Sequence, residues 1–215
     1  MLNVEGLGKH FGETAVFDQV SLQLERGEFV ALLGESGVGK STLLNCIAGL
    51  DRADRGRVVI EGTDLATLDD DGCARLRRRQ LGFVFQAFHV LPHLTVAENV
   101  SLPLRLLRRP DDARVAAMLD AVGLGGLGAR LPAQLSGGQL QRVAIARAVV
   151  HAPALILADE PTGNLDPETA ERVLGVLQTQ VREAGAACLL VTHSAAAAAR
   201  AHRVQRLTAH GIRDA

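Results

Sequence analysis

Apolar positions along the chain follow two kinds of pattern. Within residues 1–33, Val20, Leu22 and Leu24 alternate with polar residues, whereas Phe29 to Leu33 is an unbroken apolar run that ends at Gly34. Alternation predicts short strands with one face in the core, and the short unbroken run predicts a buried strand. Helix-like stretches follow at 40–49, around 72–79, and at 95–107, 112–122, 138–150 and 168–183, with apolar strands near 58–60, 81–85, 155–158 and 187–191 between them. Strands that alternate with helices imply a largely parallel sheet covered by helices, an α/β class. From about Ala87 to Ala152 no strand pattern occurs, which predicts a helical insert (87–152) carried on a core made of 1–86 and 153–215. The alanine run Ala195 to Ala199 is a strong helix former.

Composition narrows the function classes. With 215 residues, 47% hydrophobic and 22% charged, the chain has room for a sizeable core and is neither a disordered tail nor a membrane-embedded protein. Its net charge of −1 supplies no global field for nucleic acid. One local basic cluster, Arg75, Arg77, Arg78 and Arg79, reads either as a solvated helix face or as a docking surface. Three cysteines (Cys46, Cys73, Cys188) without CxxC spacing argue against a disulfide framework or a zinc site and fit a reducing compartment. No apolar run approaches the roughly 18 residues of a membrane span, so a membrane role is expected only through a partner. Tyr and Trp are absent, which leaves six Phe as the only aromatics.

Three segments carry chemistry. Gly34-Glu35-Ser36-Gly37-Val38-Gly39-Lys40-Ser41-Thr42 fits G-x-x-x-x-G-K-[ST], directly after an apolar strand and at the start of a helix. Glycines there let backbone N–H groups converge on phosphate oxygens, Lys40 adds a cation for the β and γ phosphates, and Ser41 offers a hydroxyl to Mg²⁺. Leu155 to Ala158 is an apolar strand that ends in Asp159 and Glu160, which puts two carboxylates at the carboxyl edge of the sheet. Asp159 suits the Mg²⁺ shell, and Glu160 suits a water that attacks the γ phosphate. Ser136-Gly137-Gly138-Gln139 opens the stretch Leu140 to Val150. Ser136 is an N-cap candidate and the glycines leave N–H groups bare, so this is a second anion site in a chain with one phosphate loop.

The order of phosphate loop, Gln86, Leu135-Ser136-Gly137-Gly138-Gln139, the Leu155 to Glu160 strand, Asn164-Leu165-Asp166 and His193 resembles the ATP-binding cassette (ABC) ATPases over essentially the whole chain. The resemblance implies a P-loop NTPase fold of ABC type: a mainly parallel sheet core, an N-terminal antiparallel β part and a helical subdomain. It implies that Gln86 senses Mg²⁺ and the membrane partner, that Asp166 lies in a loop exchanged across a dimer, and that His193 contacts the γ phosphate. It also implies that Ser136, Gly137 and Gly138 close over ATP held by the other protomer. Phe11 reads as core on composition alone, whereas the resemblance makes it the aromatic that stacks on adenine. A finer resemblance, to the branch of lipoprotein-release, macrolide-export and cell-division ATPases, rests on Leu81 to Gln86, Leu91 to Val100 and Ala158 to Asp166. Two departures stand out: Ser194 follows His193 where many relatives have Asp, and Thr208-Ala209-His210-Gly211-Ile212 replaces the usual Asp-Gly turn.

The expectation is therefore an ATP hydrolase using ATP and Mg²⁺, two copies of the chain sandwiching two ATP and driving a transmembrane permease-type subunit from the cytoplasmic face of the plasma membrane. No nucleic-acid partner is expected. The alternatives are a soluble ABC ATPase of scaffold type and a P-loop kinase, the latter leaving Ser136 to Gln139 and His193 unexplained.

Overall fold

The computed structural model describes the whole chain except Ser36, Asn164, Ala209, His210 and Ala215. Two sheets organise it. A four-stranded antiparallel sheet has the order β2 (Thr14–Leu24), β1 (Leu2–Phe11), β4 (Arg55–Ile60), β5 (Thr63–Asp64). A six-stranded sheet has the order β10 (Gly211–Asp214), β9 (Arg203–Thr208), β3 (Phe29–Leu33), β8 (Ala187–Val191), β7 (Leu155–Asp159), β6 (Leu81–Val84). In the second sheet β10 alone runs antiparallel to its neighbour.

Burial follows the two patterns of the sequence. In β2 the inward Val20, Leu22 and Leu24 are buried while Ser21 and Gln23 face solvent. Every residue of β7 and β8 is buried, because helices or the other sheet cover both faces of the parallel sheet. Alternate residues of the central strands feed two cores. Leu155, Leu157 and Leu189 join Leu43, Leu44 and Ile47 of α1 (Lys40–Ile47) and the inner face of the antiparallel sheet. Ile156, Ala158 and Leu190 join the helices of the other face. Those are α3 (Val96–Leu106), α4 (Asp112–Ala121), α5 (Gly137–Val149) and α6 (Pro167–Ala184), with α2 (Asp70–Gln80) leading into β6 and α7 (Ala195–Ala198) after β8.

Between β6 and β7 the described residues form helices and turns and no strand. Thr95 starts α3 with a reciprocal capping box to Glu98. The basic cluster has a local reason as well: Arg77, Arg78 and Arg79 fill the last turn of α2, where cations complement the helix dipole, and Arg77 donates to the Gly49 carbonyl at 2.6 Å.

Candidate active site

Strands β3, β8, β7 and β6 are adjacent and parallel, so their carboxyl ends open at one edge of the sheet, where α/β folds bind ligands. The edge is stitched across: Thr192 N–H donates to the Leu32 carbonyl (3.3 Å) and Glu160 N–H to the Val191 carbonyl (2.9 Å). This topology draws distant segments onto one cavity of about 420 Å³, walled by Phe11, Val16, Gly37, Gly39, Lys40, Ser41, Thr42, Gln86, Asp159, Glu160 and His193.

The phosphate loop is built for glycine where it turns. Gly39 has φ 92°, and a Cβ there would meet Val16 Cγ1 at 2.5 Å; a Cβ on Gly34 would meet the Leu207 carbonyl at 3.1 Å. Gly37 (φ 81°) has open space above it. Among the described residues no side chain caps α1, so its first N–H groups remain available to an anion. Glu35 is exposed and Val38 packs toward the core; Ser36 lies outside the described residues. Lys40 is 7% exposed, and its ammonium donates to the Gly34 and Glu35 carbonyls at 2.7 and 2.8 Å. Burial pushes its pKa below the ordinary lysine value, while the Glu160 and Asp159 carboxylates pull it back up.

The two carboxylates sit in different surroundings. Asp159 is buried and hydrogen-bonded to Ser41, with burial pushing its pKa up and the Ser41 bond, Lys40 and His193 opposing. Ser41, Asp159 and the exposed Gln86 offer oxygen donors only, a set that fits Mg²⁺ carrying waters and phosphate oxygens. Glu160 adopts a left-handed φ of 47°, and its Oε2 accepts from the Thr192 hydroxyl at 3.3 Å. Its buried Oε1 has no hydrogen-bond partner among the described residues. His193 Nε2 stands 3.2 Å from the Lys40 ammonium and 3.5 Å from Glu160 Oε1. Because the ammonium can only donate, Nε2 accepts here and leaves Oε1 without a donor.

Ser136, Gly137, Gly138, Gln139 and Asp166 are not on that wall. The Ser136 hydroxyl and the Gln139 carboxamide are spent on each other's backbone N–H in a capping box, and Asp166 caps α6 through Thr169. Space above Gly137 is open. Phe11 is 60% exposed, so it is a wall residue rather than core. Ser194 caps α7 through Ala197 N–H and its own N–H is held by the Thr192 hydroxyl. Thr192 is the residue that sequence reasoning passed over: it is fully buried and bonds to both Glu160 and Ser194. Its only sequence signal is its place at the end of an apolar strand before His193.

The family model described as "ABC transporter" matches residues 17–163. The chain belongs to the ABC transporter ATP-binding family. This ABC ATPase is 47% identical to the "Lipoprotein-releasing system ATP-binding protein LolD" of Cereibacter sphaeroides, over 97% of each chain. It is 44% identical to the "Methionine import ATP-binding protein MetN" of Brucella abortus, over 90% of this chain and 53% of that one. Among solved structures, the dimeric post-hydrolysis state of the ATP-binding cassette MJ0796 bound to ADP and Pi superposes with a TM-score of 0.93 at 37% identity, covering 100% of this chain and 98% of that one. The chain is thus an ATP-binding, Mg²⁺-dependent ATP hydrolase with the ABC fold, as its motifs led one to expect. Among the described residues no helix is long and apolar enough to cross a membrane.

Proposed function

We propose that two copies of this ABC ATPase enclose two ATP and drive a separate transmembrane subunit of the lipoprotein-release branch, working at the cytoplasmic face of the plasma membrane. The observation that carries it is a site divided in two. Phosphate loop, metal donors and base share one wall, whereas the second glycine-rich helix start, at Ser136 to Gly138, lies off that wall with open space above Gly137. A second copy would complete each site with those residues and Asp166.

Within a site, Lys40 and the bare N–H groups of α1 hold the β and γ phosphates. Ser41, Asp159 and Gln86 hold Mg²⁺, which when bound neutralises phosphate charge. Water attacks the γ phosphorus in line, the bond to the bridging oxygen of ADP breaks, and Glu160 Oε1 takes the proton of the attacking water. His193 braces the γ phosphate, and Phe11 stacks on adenine.

Residues 87–152 act as the helical subdomain and carry Ser136 to Gly138 against 1–86 and 153–215. Beside Gln86, a cavity of about 390 Å³ has Phe83, Phe85 and Leu102 on its apolar lining and Arg77 and Arg78 at its basic side. The apolar lining with a basic side fits an amphipathic segment bearing a carboxylate, and we assign the groove to the membrane subunit. Leu106 is 58% exposed on its rim. Affinity capture of the tagged protein from detergent-solubilised membranes tests the reading: a membrane protein is expected to co-purify with the wild type and to be lost in Leu106→Glu. Recovery of a soluble partner alone would overturn it in favour of a scaffold-type ATPase.

A further inference from the structure

Phe11 ends β1 and is an exposed ring without a hydroxyl, so only packing can hold it in one orientation. Two residues earlier on the same strand stands Lys9, a lysine only 7% exposed, which is rare unless the ammonium is paired. That ammonium donates to Asp51 Oδ1 at 2.8 Å and to the Arg52 carbonyl at 2.6 Å, and it lies 5.3 Å from the centroid of the Phe11 ring. The hydrogen bond to Asp51 holds its pKa above the ordinary lysine value, against the burial that lowers it, so it is charged. Asp51 in turn is fixed to the end of the helix that the phosphate loop opens: its N–H donates to the Asn45 carbonyl at 3.3 Å.

The ring is part of the cavity wall and Lys9 is not. A cation within about 6 Å of a ring is attracted to the negative π face, and the attraction grows as the pair is desolvated. An adenine stacked on the wall side of Phe11 would desolvate the pair further.

We propose that Lys9 is a positioning residue for the nucleotide base: it clamps the Phe11 ring and ties that platform to the end of α1, so that a purine meets a ring already in its stacking orientation. The proposal rests on the reading of Phe11 as the base platform. The clamp is selective by construction, because a ligand with phosphates and no base gains nothing from it.

Calorimetric titration of the wild type, Lys9→Met, Lys9→Arg, Phe11→Ala and the double variant Lys9→Met/Phe11→Ala, each with ATP and with inorganic tripolyphosphate, tests it. Lys9→Met is expected to weaken ATP binding about three- to tenfold while leaving tripolyphosphate unchanged. Lys9→Arg should recover most of the loss, and Lys9→Met should cost nothing more once Phe11 is Ala. Asp51→Asn, which loosens the clamp and keeps the lysine, should give a smaller loss with the same selectivity, and it serves if Lys9→Met does not fold. Equal weakening of both ligands, or an undiminished Lys9→Met effect in the Phe11→Ala background, would overturn the role of Lys9 and leave the platform standing. Wild-type ATP affinity in Phe11→Ala would remove the platform itself, and the proposal with it.

Discussion

Replacing Glu160 with Gln should separate nucleotide binding from hydrolysis. The substitution keeps the shape of the side chain and leaves the backbone anchors in place: Glu160 N–H to the Val191 carbonyl, and Gly163 N–H to the Glu160 carbonyl at 3.3 Å. The bond from the Thr192 hydroxyl can still be accepted by the amide oxygen. What disappears is the charge on Oε1, the buried acceptor that no described residue satisfies. Losing a positioned general base costs about a hundred- to ten-thousandfold in rate, equivalent to about 3–5 kcal/mol on the barrier. Folding should barely notice, with a melting temperature within about 2 °C of wild type. Single-turnover hydrolysis of ATP in the presence of Mg²⁺, beside a binding titration, reads both quantities. Hydrolysis near the wild-type rate would refute the assignment, and the next group to test as the base would be His193, whose Nε2 is 3.5 Å from the same oxygen.

Other outcomes follow from the same geometry. Lys40→Ala removes a charge-assisted contact to the phosphates and should weaken ATP binding about ten- to a hundredfold by calorimetry, with little turnover left. Asp159→Asn should bind Mg-ATP poorly yet melt higher than wild type at neutral pH. Burial raises the folded pKa of Asp159, so wild type loses stability as pH rises through that value, and the advantage of the Asn variant should vanish in acid, where the carboxyl is protonated. Gly138→Asp should abolish hydrolysis while a single chain still binds ATP, as read by steady-state phosphate release beside a titration.

Much of this was legible in the chain. Strands β3, β7 and β8 announce themselves as unbroken apolar runs because both their faces are covered, and the motifs at their carboxyl ends must meet once the strands are parallel. The N-terminal sheet is harder to read. Strand β1 carries Gly6 and Gly8 and shifts register against β2 between Val4 and Leu7 and again around Lys9, which breaks its alternation. Strand β4 begins with the exposed Arg55, Gly56 and Arg57, so only its end, Val58 to Ile60, shows. Phe11 and Lys9 invert the ordinary rule, the aromatic exposed and the lysine buried, because Lys9 is paired with Asp51 and Arg52 from the loop after α1, partners that its own polarity does not announce. Thr192 and Gln141 are polar residues hidden in apolar company: Gln141 is 1% exposed and donates to the Pro161 carbonyl at 3.1 Å. Sequence spacing cannot report such partners, since they come from segments far along the chain.

The pairing of two chains around ATP is the central claim, and the mass of Glu160→Gln in solution tests it most directly. In light scattering behind gel filtration, this variant should run as one chain without nucleotide and as two chains with ATP and Mg²⁺, because ATP it cannot cleave persists between the protomers. Introducing Gly138→Asp should return it to one chain under the same conditions. A Glu160→Gln protein that binds ATP and stays a single chain at every concentration, even with the membrane subunit supplied, would contradict the account.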